Sequence, residues 1–298
     1  MSDVRIFSHN GKYLKTVGRK GQGPGEFQFP KDIIILKGIG FAVSDPTQYR
    51  VTIFDYSGKF LRSFRRDSRH PAVAIQITPN KDILISSIIP WNEKEKSEFK
   101  IRKYDIYGKN SNVIFSIEKE ALPRSLFSSN KSIETDPKLF YSWFWQVDSK
   151  GNIYLVENCY DYLIKVYTPE GKHYKSIHKE FKLLKISKHE IDDNQKESEE
   201  WAKKTLGRKI PGPFCKYQQV IKEIFIDNFD QIWMRTLSTD SDSSIIFDIF
   251  DKNGKYISKA SLNCKSGRHF KIRNNALYFR KTDENGVHSL IRYKIIKK

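Results

Sequence analysis

The residue types in this sequence that could do chemistry are scattered along it. Seven histidines (His9, His70, His173, His178, His189, His269 and His288) form no HExxH or similar pair. His173 and His178 lie on an alternating segment where an odd spacing turns side chains to opposite sides, so surface imidazoles are the default reading. Three cysteines, Cys159, Cys215 and Cys264, are widely spaced and odd in number, which fits neither a disulfide framework nor a metal knuckle. No serine or cysteine occupies a G-x-S-x-G elbow. Gly18 to Gly25 is glycine-rich, but a phosphate loop needs a helix N-terminus behind it, and here the chain runs into Phe27-x-x-Pro30. That segment reads as a crossover. Aligning five apolar segments on their cores leaves Asp45, Ser87, Glu157, Thr236 and Lys281 at equivalent positions. Calcium takes about six to eight oxygen ligands, and a lysine beside two acids and two hydroxyls competes with a divalent ion. Such a set suits a small polar ligand, and the expectation is no catalytic residue, no metal and no cofactor.

Charge is the bulk property that points to a partner. Lys+Arg 53 against Asp+Glu 35 gives a net +18. Local peaks fall at Arg62, Arg65, Arg66 and Arg69, at Lys203, Lys204, Arg208 and Lys209, and at Arg292, Lys294, Lys297 and Lys298. One reading is solvated outer strands. The other is a polyanion surface, whose binding weakens steeply with salt because bound counterions are released. Basic residues interleaved with tyrosine, as in Tyr13 to Lys15 and Tyr256 to Lys259, are compatible with stacking on single-stranded nucleic acid. Apolar residues make up 38% and aromatics 13% of the 298 residues, which excludes a disordered chain. No apolar run is long enough for a transmembrane helix. The opening MSDVRIFSHNGKYL does not read as a signal peptide.

The elements that must position these residues come from an internal repeat. Segments beginning at Val4, Val51, Ile101, Ile164 and Phe247 share two alternating runs joined by a Gly-Lys turn, at Gly11, Gly58, Gly108, Gly171 and Gly254. Alternation with a period of two marks half-buried antiparallel strands, and glycine accepts the positive φ that tight turns require. A second hairpin family interleaves, at Asp32 to Asp45, Ala74 to Ser87, Phe144 to Glu157, Ile224 to Thr236 and Phe270 to Lys281. Its strands are more continuously apolar, so they are expected to be inner strands buried on both faces. Repeating four-stranded units of this kind predict an all-β fold, a β-propeller spanning residues 1–298 as one domain.

Gly18 to Phe64, with a Gly-rich lead, Phe-x-x-Pro, an apolar strand ending at Asp45, then Arg50 and a Gly-Lys turn, resembles an NHL repeat. The lead Gly21-Gln22-Gly23-Pro24-Gly25-Glu26-Phe27 is similar to that of bacterial six-bladed propellers of the NHL/TolB-like group. The second blade lacks the Asp, and the fourth and fifth lack the Gly-rich lead. The resemblance implies an Asp45–Arg50 ion pair between neighbouring strands. It also implies an extracytoplasmic, secreted or lipid-anchored bacterial protein, monomeric, that binds a protein or polymeric ligand without catalysis. Two other classes stay open: a lactonase- or lyase-like propeller enzyme, and nucleic-acid binding through a basic face.

Strand tallying gives two strands before Gly18, four full blades, and three strands after Gly267. Six blades of four strands would need three more, which places them upstream of Val4 in a chain that begins late. The alternative is a five-bladed ring closed by Tyr13 to Val17. Between blades, residues 186–216 break the pattern: Ser187 and Glu190 form a capping box, and Gly207 and Pro211 stop a helix expected to pack through Ile191, Trp201 and Leu206. Glu118 to Lys138 is a second insertion.

Overall fold

The computed structural model describes residues 2–66, 72–89, 96–109, 111–121, 134, 136–137, 141–206, 214–236, 244–263, 268–283 and 285–296. Among them the chain forms antiparallel sheets in sequence order, each a simple meander. A two-stranded sheet, β1 (Val4–Phe7) and β2 (Tyr13–Val17), comes first. Four four-stranded sheets follow. The second sheet holds β3 (Asp32–Leu36), β4 (Gly40–Asp45), β5 (Arg50–Asp55) and β6 (Phe60–Arg65). The third holds β7 (Ala72–Ile77), β8 (Ile83–Ile89), β9 (Lys96–Tyr104) and β10 (Asn112–Glu120). The fourth holds β11 (Tyr141–Val147), β12 (Ile153–Asn158), β13 (Leu163–Tyr167) and β14 (His173–His178). The fifth holds β15 (Ile221–Ile226), β16 (Ile232–Thr236), β17 (Ser244–Phe250) and β18 (Tyr256–Asn263). A three-stranded sheet of β19 (Arg268–Arg273), β20 (Ala276–Thr282) and β21 (His288–Lys294) comes last. This is the strand succession of a β-propeller.

The chain divides into two compact units: residues 1–119, 147–153 and 168–172, and residues 120–146, 154–167 and 173–298. In the first unit, β4 is buried along its whole length because both faces of its sheet are covered. Phe41 and Val43 pack with Val17 of the first sheet, whereas Ala42 joins Ile75, Ile83 and Ile85 of the third. The expectation of two-sided burial fails for β3. Ile34 and Leu36 are buried, but Ile33 and Ile35 are 42% and 60% exposed. Among the described residues the first sheet, which packs on this side, has only two strands, and none reaches the alternate face of β3. In the second unit the alternation recurs on β17: Phe250 packs toward β12 and β13, and Phe247 and Ile249 toward β19 and β20.

The Gly-Lys turns explain how neighbouring sheets dock. All five glycines have positive φ. At Gly108 a Cβ would lie 2.2 Å from Cγ of Phe64 on β6, and at Gly171 1.8 Å from the carbonyl oxygen of Ile114 on β10. Each turn therefore presses on the outermost strand of the preceding sheet. Gly11, in the first sheet, has nothing within 4 Å. The acids that open these turns cap them: Asp105 Oδ1 accepts from the N–H of Tyr107 and Lys109 at 2.8 Å, and Asp251 Oδ1 from Asn253 and Lys255 at 2.9 and 2.8 Å.

The predicted helix forms as α1 (Lys188–Leu206). Ser187 Oγ accepts from the Glu190 N–H at 3.2 Å, and Glu190 Oε2 accepts from the Ser187 N–H at 2.9 Å. That contact holds the Glu190 carboxyl below its usual range. A bridge between Lys185 and Tyr217 closes the base of the insertion. Ile191 is half-buried, and the side chains of Trp201 and Leu206 lie outside the described residues. Among the described residues no helix is long and apolar enough to cross a membrane.

Candidate functional site

The aligned set of five begins in the first unit with Asp45, which is fully buried. Its Oδ2 accepts from the N–H groups of Gln28 and Phe29 at 2.7 and 3.1 Å, and its Oδ1 from Thr47 and Gln48 at 3.1 and 3.2 Å. Arg50 stands opposite it in register, yet its guanidinium reaches the carbonyls of Gln22 and Gly23 at 2.9 and 3.1 Å. The expected Asp45–Arg50 ion pair is thus replaced by two backbone clamps: Asp45 takes free N–H groups just after the Gly-rich lead and in its own turn, and Arg50 takes free C=O groups of the lead. Ser87 on β8 is buried. In the second unit Glu157 is paired to Lys165 at 2.9 Å and accepts from the Tyr167 hydroxyl at 3.4 Å. Burial, then the Glu157 charge, pushes the Tyr167 hydroxyl pKa up. Thr236 ends β16 opposite Ile221, and Lys281 is exposed on β20.

The expected polyanion residues divide in the same way. Arg66 is buried: its Nη2 donates to Pro46 O at 3.4 Å and its guanidinium lies 4.9 Å from the Tyr49 ring. Arg62 is half-buried, donating to Ile106 O at 3.1 Å across the Tyr107 ring. These two arginines hold turns in place instead of facing solvent. Arg65, Lys203 and Lys204 are exposed, whereas Arg69, Arg208 and Lys209 lie outside the described residues.

The structure adds a cluster in the second unit that the alignment of strand ends does not reveal. The pairing of β15 with β16 slips between Ile221 and Glu223, so Lys222 sits in a bulge. Beside it, Glu223 pairs with Arg235 at 3.3 Å, and the Arg235 guanidinium lies 4.7 Å from the Phe270 ring centroid. The backbone of Cys159 carries this corner, accepting from Val220 and Ile221 N–H groups at 2.8 and 3.0 Å. Cys159 and Cys215 are free, buried thiols. Desolvation lowers the Lys222 ammonium pKa and raises the Cys159 thiol and the Glu223 carboxyl. The available signal was the Lys-Glu pair interrupting the apolar run from Val220 to Ile226.

Residues 1–205 match the family DUF5128, described as a 6-bladed beta-propeller. The chain belongs to this family. The propeller is also similar to a DUF4221 family member from Bacteroides vulgatus, with a TM-score of 0.55 and 12% identity over 95% of this chain and 81% of that one. Virginiamycin B lyase from Staphylococcus aureus aligns with a TM-score of 0.42 at 12% identity, over 91% of this chain and 71% of that chain. The RING finger protein nhl-1 of Caenorhabditis elegans is 41% identical over 54 residues, 18% of this chain. The match spans only 6% of that relative's length.

The outer turns of the propeller carry a repeated pair of residues. Lys12, Lys59, Lys109, Lys172 and Lys255 are all exposed just after the turn glycine. Exposed tyrosines accompany them at Tyr13, Tyr56, Tyr107, Tyr174 and Tyr256. In three of the turns an acid, Asp55, Asp105 or Asp251, is engaged inward: the Ser57 hydroxyl and the Lys59 N–H hold the Asp55 carboxyl below its usual range. In the second unit, Asp248 takes the Lys179 ammonium and the Tyr162 hydroxyl on one oxygen, both at 2.7 Å. That contact ties β17 to the segment just after β14.

Proposed function

We propose that this propeller is a non-catalytic binding scaffold whose ligand is a protein or polymer bearing negative charge, engaged through the outer hairpin turns. The observation that carries the reading is the recurrence of an exposed lysine beside an exposed tyrosine at the Gly-Lys turns. Each turn offers an ammonium for an anionic group beside a solvent-exposed ring, one face of which is taken by Arg62 at Tyr107 and by Lys179 at Tyr256. Several weak, similar contacts along a polymer add through effective concentration. The net +18 supports the same sign of ligand. The family resemblance extends the proposal to an extracytoplasmic bacterial setting, which cell fractionation tests; recovery in the cytosol alone would overturn that part.

Retention on immobilised heparin and on polyuridylate tests the reading. Binding is expected at low salt and should collapse when salt rises about fourfold. Lys59→Gln combined with Lys109→Gln should elute earlier on both. Equally weak retention of wild type on the two matrices at low salt would overturn an anionic ligand. A melting temperature raised by added calcium would instead favour the lactonase-like enzyme.

A further inference from the structure

We infer that the bulge at the start of β15 is a binding site for a doubly charged oxyanion, a phosphate or sulfate group, held by Lys222 and Arg235, with Lys271 near the Glu223 carboxylate. The inference stands apart from the hairpin turns and does not need them to bind a polymer.

Bulges re-aim side chains, and this one leaves Lys222 outside the ladder between Ile221 and Glu223. Cys159 and, on β16, Arg235 act directly on Lys222. Glu223, the next residue, is reached by Arg235 and by Lys271 of β19, and Tyr160 and Cys215 lie against Cys159 in the adjoining loops. Burial keeps the Cys159 thiol and the Tyr160 hydroxyl protonated, so neither supplies negative charge near neutral pH. Among the described residues Glu223 is the carboxylate of the group, and it is committed to Arg235 at 3.3 Å and attracted by Lys271. Among the described residues Lys222 makes no ion pair.

Among the described residues three cations therefore share one carboxylate in a partly desolvated corner, which is unfavourable without a further anion. The site is open to one: the side chains of Arg235 and Glu223 are 27% and 30% exposed. Lys222 and Arg235 offer only donors, which suits an acceptor-only group. Two uncompensated positive charges match a phosphate monoester or a sulfate better than a carboxylate. The ligand could carry that group as a sugar phosphate or as a sulfated glycan, and the experiment separates the two.

Lys222 is read out by acetylation with an N-hydroxysuccinimide ester near pH 8, followed by peptide mass spectrometry, at constant ionic strength. Phosphate or sulfate at about 10 mM should slow Lys222 modification about fivefold, the protection expected at an occupancy of about four-fifths. Acetate should give less than about a twofold effect, and the exposed Lys37 and Lys252 should not change. Protection by phosphate alone assigns a phosphate group; equal protection by sulfate assigns recognition by charge. Arg235→Gln should abolish protection. Lys222→Met, with a cooperative melt to show that it folds, should keep the heparin retention of the wild type, so this site and the hairpin surface fail separately. No anion protection of Lys222, equal protection by acetate, or protection surviving in Arg235→Gln would each overturn the assignment.

Discussion

Substituting alanine into the Gly-Lys turns separates two reasons for glycine. A Cβ-bearing residue held at positive φ costs about 1–2 kcal/mol wherever it occurs. Gly11 carries only that cost, because its Cβ would meet nothing within 4 Å. At Gly108 the new carbon would sit 2.2 Å from Phe64 Cγ, so the ring must leave its rotamer or β6 must shift. Overpacking of this kind adds about 1–3 kcal/mol. At Gly171 the obstacle is the Ile114 carbonyl oxygen at 1.8 Å, a backbone atom within the sheet, and the upper end of that range applies. The expected order is Gly11→Ala at about 1 kcal/mol, Gly108→Ala at about 3 and Gly171→Ala at about 4. All three positions lie in the first unit, so one urea transition reports them, with midpoints compared at constant m-value. Equal losses for the three variants would refute sheet docking as the reason for the repeated glycine and leave only the turn geometry.

Other outcomes follow from the buried polar groups. Lys179→Met should cost about 3 kcal/mol in thermal or urea unfolding, because it leaves the 3% exposed Asp248 without its cation. Asp45→Ala should cost about 2–4 kcal/mol by stranding the N–H groups of Gln28, Phe29, Thr47 and Gln48, with Asp45→Asn recovering part of it. Lys222→Met should be as stable as wild type or more so at pH 7. Burial lowers the folded-state pKa of Lys222 below its ordinary 10.5, so the unfolded chain binds more protons between the two values. Wild-type stability should then rise relative to Lys222→Met as pH climbs toward 10.5, measured by paired urea titrations.

The repeat was legible because turn chemistry is local. The Gly-Lys dipeptides, the Ser187–Glu190 box and the alternating runs each report a backbone state without reference to distant residues. The capping acids were equally local: Asp55, Asp105 and Asp251 each stand three residues before the turn glycine, a regularity that points to backbone capping. The candidate site was less legible for a physical reason. Aligned apolar cores mark where strands end, at Asp45 and Glu157 among others, but not what covers those ends. The lead from Gly18 closes over Asp45, and Lys165 and Tyr167 engage Glu157. Lys222 depends on a slip in pairing register between β15 and β16, and register is a property of two strands together. The exposed Ile33 and Ile35 depend likewise on the first sheet having only two strands among the described residues.

The central claim is that the exposed turn lysines bind an anionic polymer, and its most direct test is the slope of log binding constant against log salt for polyuridylate or a heparin oligosaccharide. Wild type should give a steep negative slope, and each removed lysine among Lys12, Lys59, Lys109, Lys172 and Lys255 should flatten it by about one unit, with no loss of fold. A slope near zero in wild type, or one unchanged when all five are replaced by glutamine, would contradict the account.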